Sequence, residues 1–312
     1  LRFQRIEPSE CLRKSWMVPK LKKNARNVLT VSAHFNAVSF WAQWEIAFEG
    51  NLKERARIMC RLVEIATECL KMNAFSAAFA IHAAFTSAPV YRLENTKKAM
   101  AGKDMRSKDV VTKVEQLQKQ LSHEFNFRAP LSLLEKCAPP CVPFLGIFQQ
   151  QLVAVEEGSP DTIKPKVEGG MPLINFAKRR KISEIIRKIQ TYQIGSYDFE
   201  PPKEVAAYCA PRVHKWEAAL LEGSLNGDTS YKRALESTFD RASQRCEPRR
   251  GASSGATATR YESIDAAPAS PGVVEVSLER TPRQGNLLTP LLRAVPSSDL
   301  TRGRRSSEER LP

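Results

Sequence analysis

Side chains capable of catalysis are present in the sequence, but their spacing does not fit a conventional active site. Glu156 and Glu157 suggest the two carboxylates that divide acid and base roles in glycosidases. Adjacent residues of a helix point about 100° apart, however, so these carboxylates cannot flank one bond. His82 lies in a run of alanine and phenylalanine, where a packed core histidine is more common than a general base. The sequence also contains no HExxH, P-loop or GxGxxG motif.

A basic cluster offers a second kind of chemistry, namely contact with phosphate or another anion. Residues 178–181 read Lys-Arg-Arg-Lys, and Arg187 and Lys188 follow them. A solvated helix face is the ordinary explanation for such a cluster. Aromatic residues do not interleave with these cations, so a stacking platform for single-stranded nucleic acid is weakly supported.

The cysteines and histidines do not form a metal-binding pattern. The seven cysteines are scattered without a CxxC pair, and the two closest in sequence are Cys137 and Cys141. None of the four histidines is paired at ligand spacing, so we expect no zinc site and no cofactor. An odd number of scattered cysteines favours reduced thiols and a cytoplasmic location.

Composition divides the 312 residues into two parts near residue 250. Residues 251–312 contain six Pro, one Tyr and no Trp, Phe or Lys, and such a segment cannot bury enough apolar surface to offset chain entropy. We therefore predict a folded domain over 1–250 and a disordered tail over 251–312. The tail has eight Arg against seven acidic residues, so nearly all of the net charge of +14 belongs to the folded part and favours acidic partners.

Hydrophobic residues in the first 250 positions recur with helical rather than alternating spacing. Residues 52–71, for example, carry one apolar stripe that includes Ile58, Leu62 and Ile65. The predicted fold class is all-α, an irregular helical bundle without a strand pattern or a repeat. The expected helices cover residues 36–50, 52–71, 73–85, 107–124, 144–156, 175–193, 203–210 and 214–221.

The middle of the chain predicts a helical hairpin on a rigid base. Pro139, Pro140 and Pro143 stiffen the chain immediately before the helix at 144–156, because proline fixes φ. A polar loop follows this helix, and a second helix begins near Asn175. A helical hairpin that stands on a packed bundle can act as a fixed wedge.

Six short blocks, none of them distinctive alone, occur along the chain in an order that resembles one protein family. The blocks are Phe3, Ile6, Pro8, Glu10, Leu12 and Trp16; Phe35-Asn36-Ala37-Val38-Ser39 with Trp41, Glu45 and Ile46; Asn73, Phe75 and Ser76 with Ser87 to Leu93; Pro140 to Phe148; Leu173-Ile174-Asn175-Phe176 with Lys178 and Arg179; and Glu247-Pro248-Arg249. Together they resemble the catalytic domain of Ras-family guanine-nucleotide exchange factors, the RasGEF domain. The resemblance covers most of residues 1–250. Position 1 is Leu rather than Met, and the helix with which the family's domain usually begins has no match here, so we expect the start of the domain to be incomplete.

The resemblance implies an all-helical domain whose protruding hairpin, here about residues 144–192, inserts between the two switch regions of a small GTPase. In family members a hydrophobic side chain on the first hairpin helix faces the magnesium site, and an acidic one engages the phosphate-loop region. By spacing from Gly146, the matching residues are Val153 and Glu157, which lie four apart on one helix face. Further contacts with the GTPase are expected from Phe79, Thr86, Phe127, Gln150, Lys178 and Arg179.

Three classes of function stay open at this point. The resemblance implies an exchange factor that promotes GDP release from Ras, Rap or Ral without making or breaking covalent bonds. The second class is a non-catalytic GTPase-binding or scaffold domain of the same fold, because Thr86 stands where many family members have Asn. The third is nucleic-acid binding, from the charge alone. An anionic membrane explains the charge more simply, so we expect a monomer recruited from the cytoplasm to the inner face of the plasma membrane, without nucleic acid.

Overall fold

The computed structural model describes residues 2–102, 107–164 and 170–247, and it confirms the all-α prediction. The predicted tail over 251–312 lies outside these described residues. One short antiparallel strand pair, which the sequence did not predict, joins β1 (Thr162–Ile163) to β2 (Leu173–Ile174). The helices are α1 (Arg26–Ala47), α2 (Leu52–Lys71), α3 (Phe75–Thr86), α4 (Ala88–Tyr91), α5 (Glu94–Met100), α6 (Ser107–Gln120), α7 (Glu124–Leu134), α8 (Leu145–Gly158), α9 (Phe176–Thr191), α10 (Lys203–Asn226) and α11 (Ser230–Cys246).

Helix α1 is the centre of the bundle and packs against α2, α3, α10 and α11. It begins at Arg26, whereas the sequence predicted a start at residue 36. The buried carboxylate of Glu10 caps this end: Glu10 Oε2 accepts a bond of 2.8 Å from Val28 N, and Glu10 Oε1 accepts one of 2.7 Å from Asn27 Nδ2. A carboxylate at a helix N-terminus satisfies free N–H groups and complements the helix dipole. The cap comes from a distant segment, so no local signal marks this start.

Helix α10 is one continuous helix, although the sequence predicted separate helices at 203–210 and 214–221. The predicted break was wrong: Pro211 lies inside the helix, where proline normally removes one hydrogen bond and strains the preceding turn. Long-range packing outweighs that cost, because α10 lies along α1. Buried Glu217 strengthens the contact, accepting from Arg2 at 2.6 and 2.9 Å and lying 3.0 Å from His34 Nδ1.

Helix α11 was not predicted, and it completes the core from the far end of the domain. Its Phe239 is fully buried and lies 5.7 Å from the Phe40 ring, between centroids. After this helix, the Glu247 carboxylate accepts bonds of 2.9 and 2.6 Å from Thr96 N and Oγ1, and it lies 3.4 Å from the buried Arg55 guanidinium. The end of the described chain is therefore tied to α2 and α5.

The remaining features of the bundle concern its thiols, its buried histidine and its surface. All seven cysteines are free. His82 is buried in α3, as expected, and burial followed by the charge of His123 lowers its pKa, which favours a neutral imidazole. Among the described residues, none of the helices combines the length and apolar character that crossing a membrane requires.

Candidate functional site

The predicted hairpin is formed by α8 and α9, which pack against each other and are joined through the β1–β2 pair. Asn175 begins the second helix, because its side chain accepts from the backbone N–H of Lys178 at 3.1 Å. The hairpin packs on a second hydrophobic cluster, distinct from the central core. Its buried members are Phe3, Ile6, Cys11, Trp16, Ala25, Val28, Leu29, Val31, Leu145, Phe148, Leu152, Ile182 and Ile189.

Residues 2–18, here called the N-terminal segment, hold the hairpin at both ends. At the base, Gln193 Nε2 donates to the carbonyl oxygens of Phe3 and Ile6, at 3.1 and 2.8 Å. At the end of α8, the backbone N–H of Arg13 donates to Glu156 Oε1 at 3.2 Å. The segment therefore supports the hairpin along its length rather than at one point.

The two residues predicted to form the wedge lie one turn apart near the end of α8. Helix α8 is continuous from Leu145 to Gly158, so Val153 and Glu157 share a face. Val153 is half-buried against the second hydrophobic cluster. The side chain of Glu157 is 60% exposed, and its Oε1 lies 2.9 Å from the Lys14 ammonium. Lys14 was not singled out from the sequence, because 143 positions separate it from Glu157 and no pattern joins them.

Lys178 was expected on the GTPase-binding surface, but its side chain is only 3% exposed and lies inside the hairpin. Its ammonium contacts Glu156 Oε2 at 2.7 Å, Asp161 Oδ1 at 3.0 Å and the carbonyl oxygen of Glu156 at 3.2 Å. The bond to Glu156 raises the pKa of Lys178, although desolvation opposes this. Lys178 therefore braces the hairpin internally. Arg179, by contrast, is 41% exposed and pairs with Asp161 at 3.0 Å.

Four phenylalanine rings form an aromatic cluster at the base of the hairpin. The Phe144 ring stacks on Phe79 at 4.6 Å, and its centroid lies 4.8 Å from Phe35 and 6.1 Å from Phe127. Gly146 permits this arrangement, because a Cβ atom there would lie 2.4 Å from Phe144 Cζ. Phe79 is buried and Phe127 is half-buried, so Phe127 is the more accessible ring of this pair.

An unusual turn at the start of α7 lies beside the aromatic cluster. Phe125, Asn126 and Phe127 all have left-handed backbone angles, with φ of 50°, 56° and 60°. Phe125 is 83% exposed as a result, while Phe127 reaches the aromatic cluster. Gln150 on α8 lies next to this turn, donating to Asn126 Oδ1 at 3.3 Å. The exposed Thr86 directs its hydroxyl to its own helix, at 3.3 Å from the carbonyl oxygen of His82.

Seven of the eight predicted site residues form two groups along α8, and Thr86 lies apart at the end of α3. Gln150 and Phe127 are joined through Asn126, and Phe79 contacts Phe127 directly. The second group lies around the far end of α8 and contains Val153, Glu157, Lys178 and Arg179. Beyond it, large apolar side chains at the hairpin tip are exposed: Ile163, Met171, Leu173, Ile174 and Phe176.

Comparison with known proteins gives the same family that the motifs resemble. The model of the RasGEF domain matches residues 1–180 of this chain. Ras guanine nucleotide exchange factor J of Dictyostelium discoideum is 34% identical over 204 residues, which are 65% of this chain and 24% of that protein. Ras-specific guanine nucleotide-releasing factor 1 of Homo sapiens is 31% identical over 226 residues, 72% of this chain and 17% of that protein.

The chain spans about a quarter or less of the length of these relatives. The family match covers more than half of the chain, including the N-terminal segment, the aromatic cluster and α8. On this match, and with an all-helical bundle that carries the expected hairpin, the chain belongs to the RasGEF domain family.

Proposed function

We propose that this chain is a guanine-nucleotide exchange factor whose hairpin opens the nucleotide site of a Ras-type small GTPase, promoting GDP release and GTP loading. The observation that carries the proposal is the braced hairpin, which holds Val153 and Glu157 on one face of α8 in a chain of the RasGEF family. Such a factor makes and breaks no covalent bond. It requires shape and charge at a surface rather than an acid–base pair or a cofactor.

The proposed mechanism is differential binding. An exchange factor promotes release only to the extent that it binds the nucleotide-free GTPase better than the nucleotide-bound form. In this mode the Glu157 carboxylate competes with phosphate for the lysine of the phosphate loop. Val153 occupies space at the magnesium site with an apolar group, which removes oxygen ligands without replacing them. Both contacts weaken the hold on a nucleotide that depends on phosphate and magnesium.

The aromatic cluster at the base of the hairpin supplies the second contact in this proposal. We assign switch II of the GTPase to the surface at Phe127 and Thr86, where the buried Phe79 ring supports Phe127 from inside the bundle. Gln150 and Arg179 are exposed or half-exposed and are available for polar contacts on either side. Lys178 contributes indirectly, by holding the end of α8 in place.

The test is release of a fluorescent GDP analogue from Ras, Rap, Ral and Rho proteins, with and without the chain. We expect acceleration for at least one of Ras, Rap and Ral and none for Rho. In the responding GTPase, Val153→Ala and Glu157→Gln should each lower the acceleration by about tenfold. Glu157→Gln should leave the unfolding temperature unchanged, and Val153→Ala should lower it only slightly, because Val153 is half-buried against the second hydrophobic cluster. Glu184→Gln is the matched control, because Glu184 is an exposed glutamate on α9. Wild-type rates in both variants would reject the site, and no acceleration anywhere would reject the function.

A non-catalytic GTPase-binding domain is the second candidate. The Thr86 hydroxyl donates to the carbonyl oxygens of His82 and Ala83, at 3.3 and 3.2 Å, so its one proton is used within its own helix. Binding of a nucleotide-free GTPase without accelerated GDP release would favour this candidate over exchange.

We also place the protein as a cytoplasmic monomer that is recruited to the inner face of the plasma membrane. The support for recruitment is the net charge of +14, nearly all of it on residues 1–250, together with the apolar hairpin tip. Cosedimentation with vesicles that contain phosphatidylserine, compared with neutral vesicles, tests this placement.

A further inference from the structure

An ion pair occupies the carboxylate on which the proposed function depends. The ammonium of Lys14 lies 2.9 Å from Glu157 Oε1, and the two side chains are 27% and 60% exposed. Within the described residues, this is the one hydrogen bond or ion pair that the Glu157 side chain makes. The residue proposed to attract a lysine of the GTPase is therefore already paired with a lysine of its own chain.

The backbone around Lys14 is shaped to make this contact. Arg13 and Lys14 have φ of 54° and 52°, in the left-handed region that residues other than glycine rarely adopt. Two consecutive residues stay in this region only when surrounding contacts favour it. The backbone N–H of Arg13 donates to Glu156, and the Lys14 carbonyl oxygen accepts from Met17 N at 2.8 Å. The turn thus directs a backbone donor and a cation at the two glutamates that end α8.

Glu156 and Glu157 are paired with different lysines, so the fold does not depend on the pair that Glu157 makes. Glu156 is nearly buried, with its side chain 10% exposed, and its partner is Lys178. Glu157 points outward, and its partner is Lys14. Loss of the Lys14 charge therefore leaves the buried brace of the hairpin intact.

Lys14 and a lysine of the GTPase cannot both use this carboxylate freely, because two ammonium groups a few ångströms apart repel each other. We propose that Lys14 is an intramolecular competitor for Glu157, a positioning residue that slows exchange until the GTPase displaces it. This inference rests on the proposed function of Glu157. Exposed ion pairs are weak, so the effect is a brake of a few-fold and not a block.

The test compares the full chain with its Lys14→Met variant, which keeps an unbranched apolar stem and loses the charge. The assay uses the Ras, Rap or Ral protein that responds most strongly, below saturation and at low salt. We expect GDP release to be about two- to five-fold faster with the variant, and the gain to shrink as salt rises. Lys20→Met is the matched control: it removes the same charge from an exposed position just after the N-terminal segment and should change nothing.

The decisive arm repeats Lys14→Met in a Glu157→Gln background, where the gain should disappear. A merely structural role of Lys14 would act equally in both backgrounds, so equal gains would overturn the inference. An unchanged or slower rate in the single variant, at an unchanged unfolding temperature, would also overturn it. If Glu157→Gln alone leaves GDP release unaffected, the failure lies with the proposed site instead.

Discussion

Replacing Lys178 by Met should loosen the hairpin while leaving the helical bundle folded. The Lys178 side chain is 3% exposed, and its partner Glu156 is 10% exposed, so water cannot take over the lost contact. Breaking a buried ion pair costs about 3–5 kcal/mol. Asp161, the second partner, is 63% exposed and regains water, and Arg13 still donates to Glu156. We therefore expect a loss of about 2–4 kcal/mol in the free energy of unfolding.

Thermal unfolding and amide hydrogen exchange measure the two parts of this prediction. A loss of that size corresponds to about 5–10 °C in unfolding temperature for a domain of this length. Amide exchange should accelerate at the end of α8 and the start of α9, and stay unchanged in α1 and α3. GDP release should slow as well, because Glu157 is carried on the loosened turn.

Arg179→Met is the matched control for this experiment. Arg179 is the adjacent residue and shares the partner Asp161, but its side chain is 41% exposed. Exposed pairs contribute about 0–1 kcal/mol, so this variant should unfold within a few degrees of the wild type. If Lys178→Met and Arg179→Met behave alike in unfolding and in amide exchange, the burial argument for Lys178 is refuted.

Two further predictions concern Glu247, at the end of the described chain, and Gly146, at the base of the hairpin. Burial raises the pKa of Glu247, but bonds from Thr96 and its neighbours outweigh this and hold the pKa below the ordinary 4.5. The ionised carboxylate therefore stabilises the folded protein fully above pH 4.5, and this contribution is lost as the pH falls through the pKa of Glu247 in the folded state. In urea unfolding, the difference in free energy of unfolding between the wild type and Glu247→Gln should become smaller in that acidic range. Gly146→Ala should displace the Phe144 ring, cost about 1–3 kcal/mol and slow GDP release. Gly158→Ala is the control: nothing lies within 4 Å of the added carbon, so this variant should neither destabilise the protein nor slow GDP release.

The helices that the sequence predicted well are those whose signals are local. Helix α2 matches the predicted range 52–71, because an apolar stripe defines its buried face and Asn51 caps it through bonds to Lys53 N and Glu54 N. The start of α1 and the continuity of α10 depend on partners far along the chain. Glu10 caps the start of α1, and packing against α1 keeps α10 helical through Pro211. Such tertiary contacts leave no periodicity to read.

The candidate site shows the same division between local and distant information. The spacing of Val153 and Glu157 on α8 follows from the helix alone. Lys178 carries the sequence signature of an exposed basic cluster, yet it is buried, because two carboxylates meet its side chain inside the hairpin. The pairing of Lys14 with Glu157 depends on how the N-terminal segment turns across the hairpin, which only the folded chain reveals.

Phe144 joins the aromatic cluster to the hairpin. This residue immediately precedes α8, and its ring stacks on Phe79 and lies 6.1 Å from Phe127, between centroids. Under the proposed function, a GTPase bound against Phe127 therefore contacts the rings from which the helix that carries Glu157 starts. By linkage, if binding there favours one orientation of α8, then fixing that orientation strengthens the binding by the same free energy.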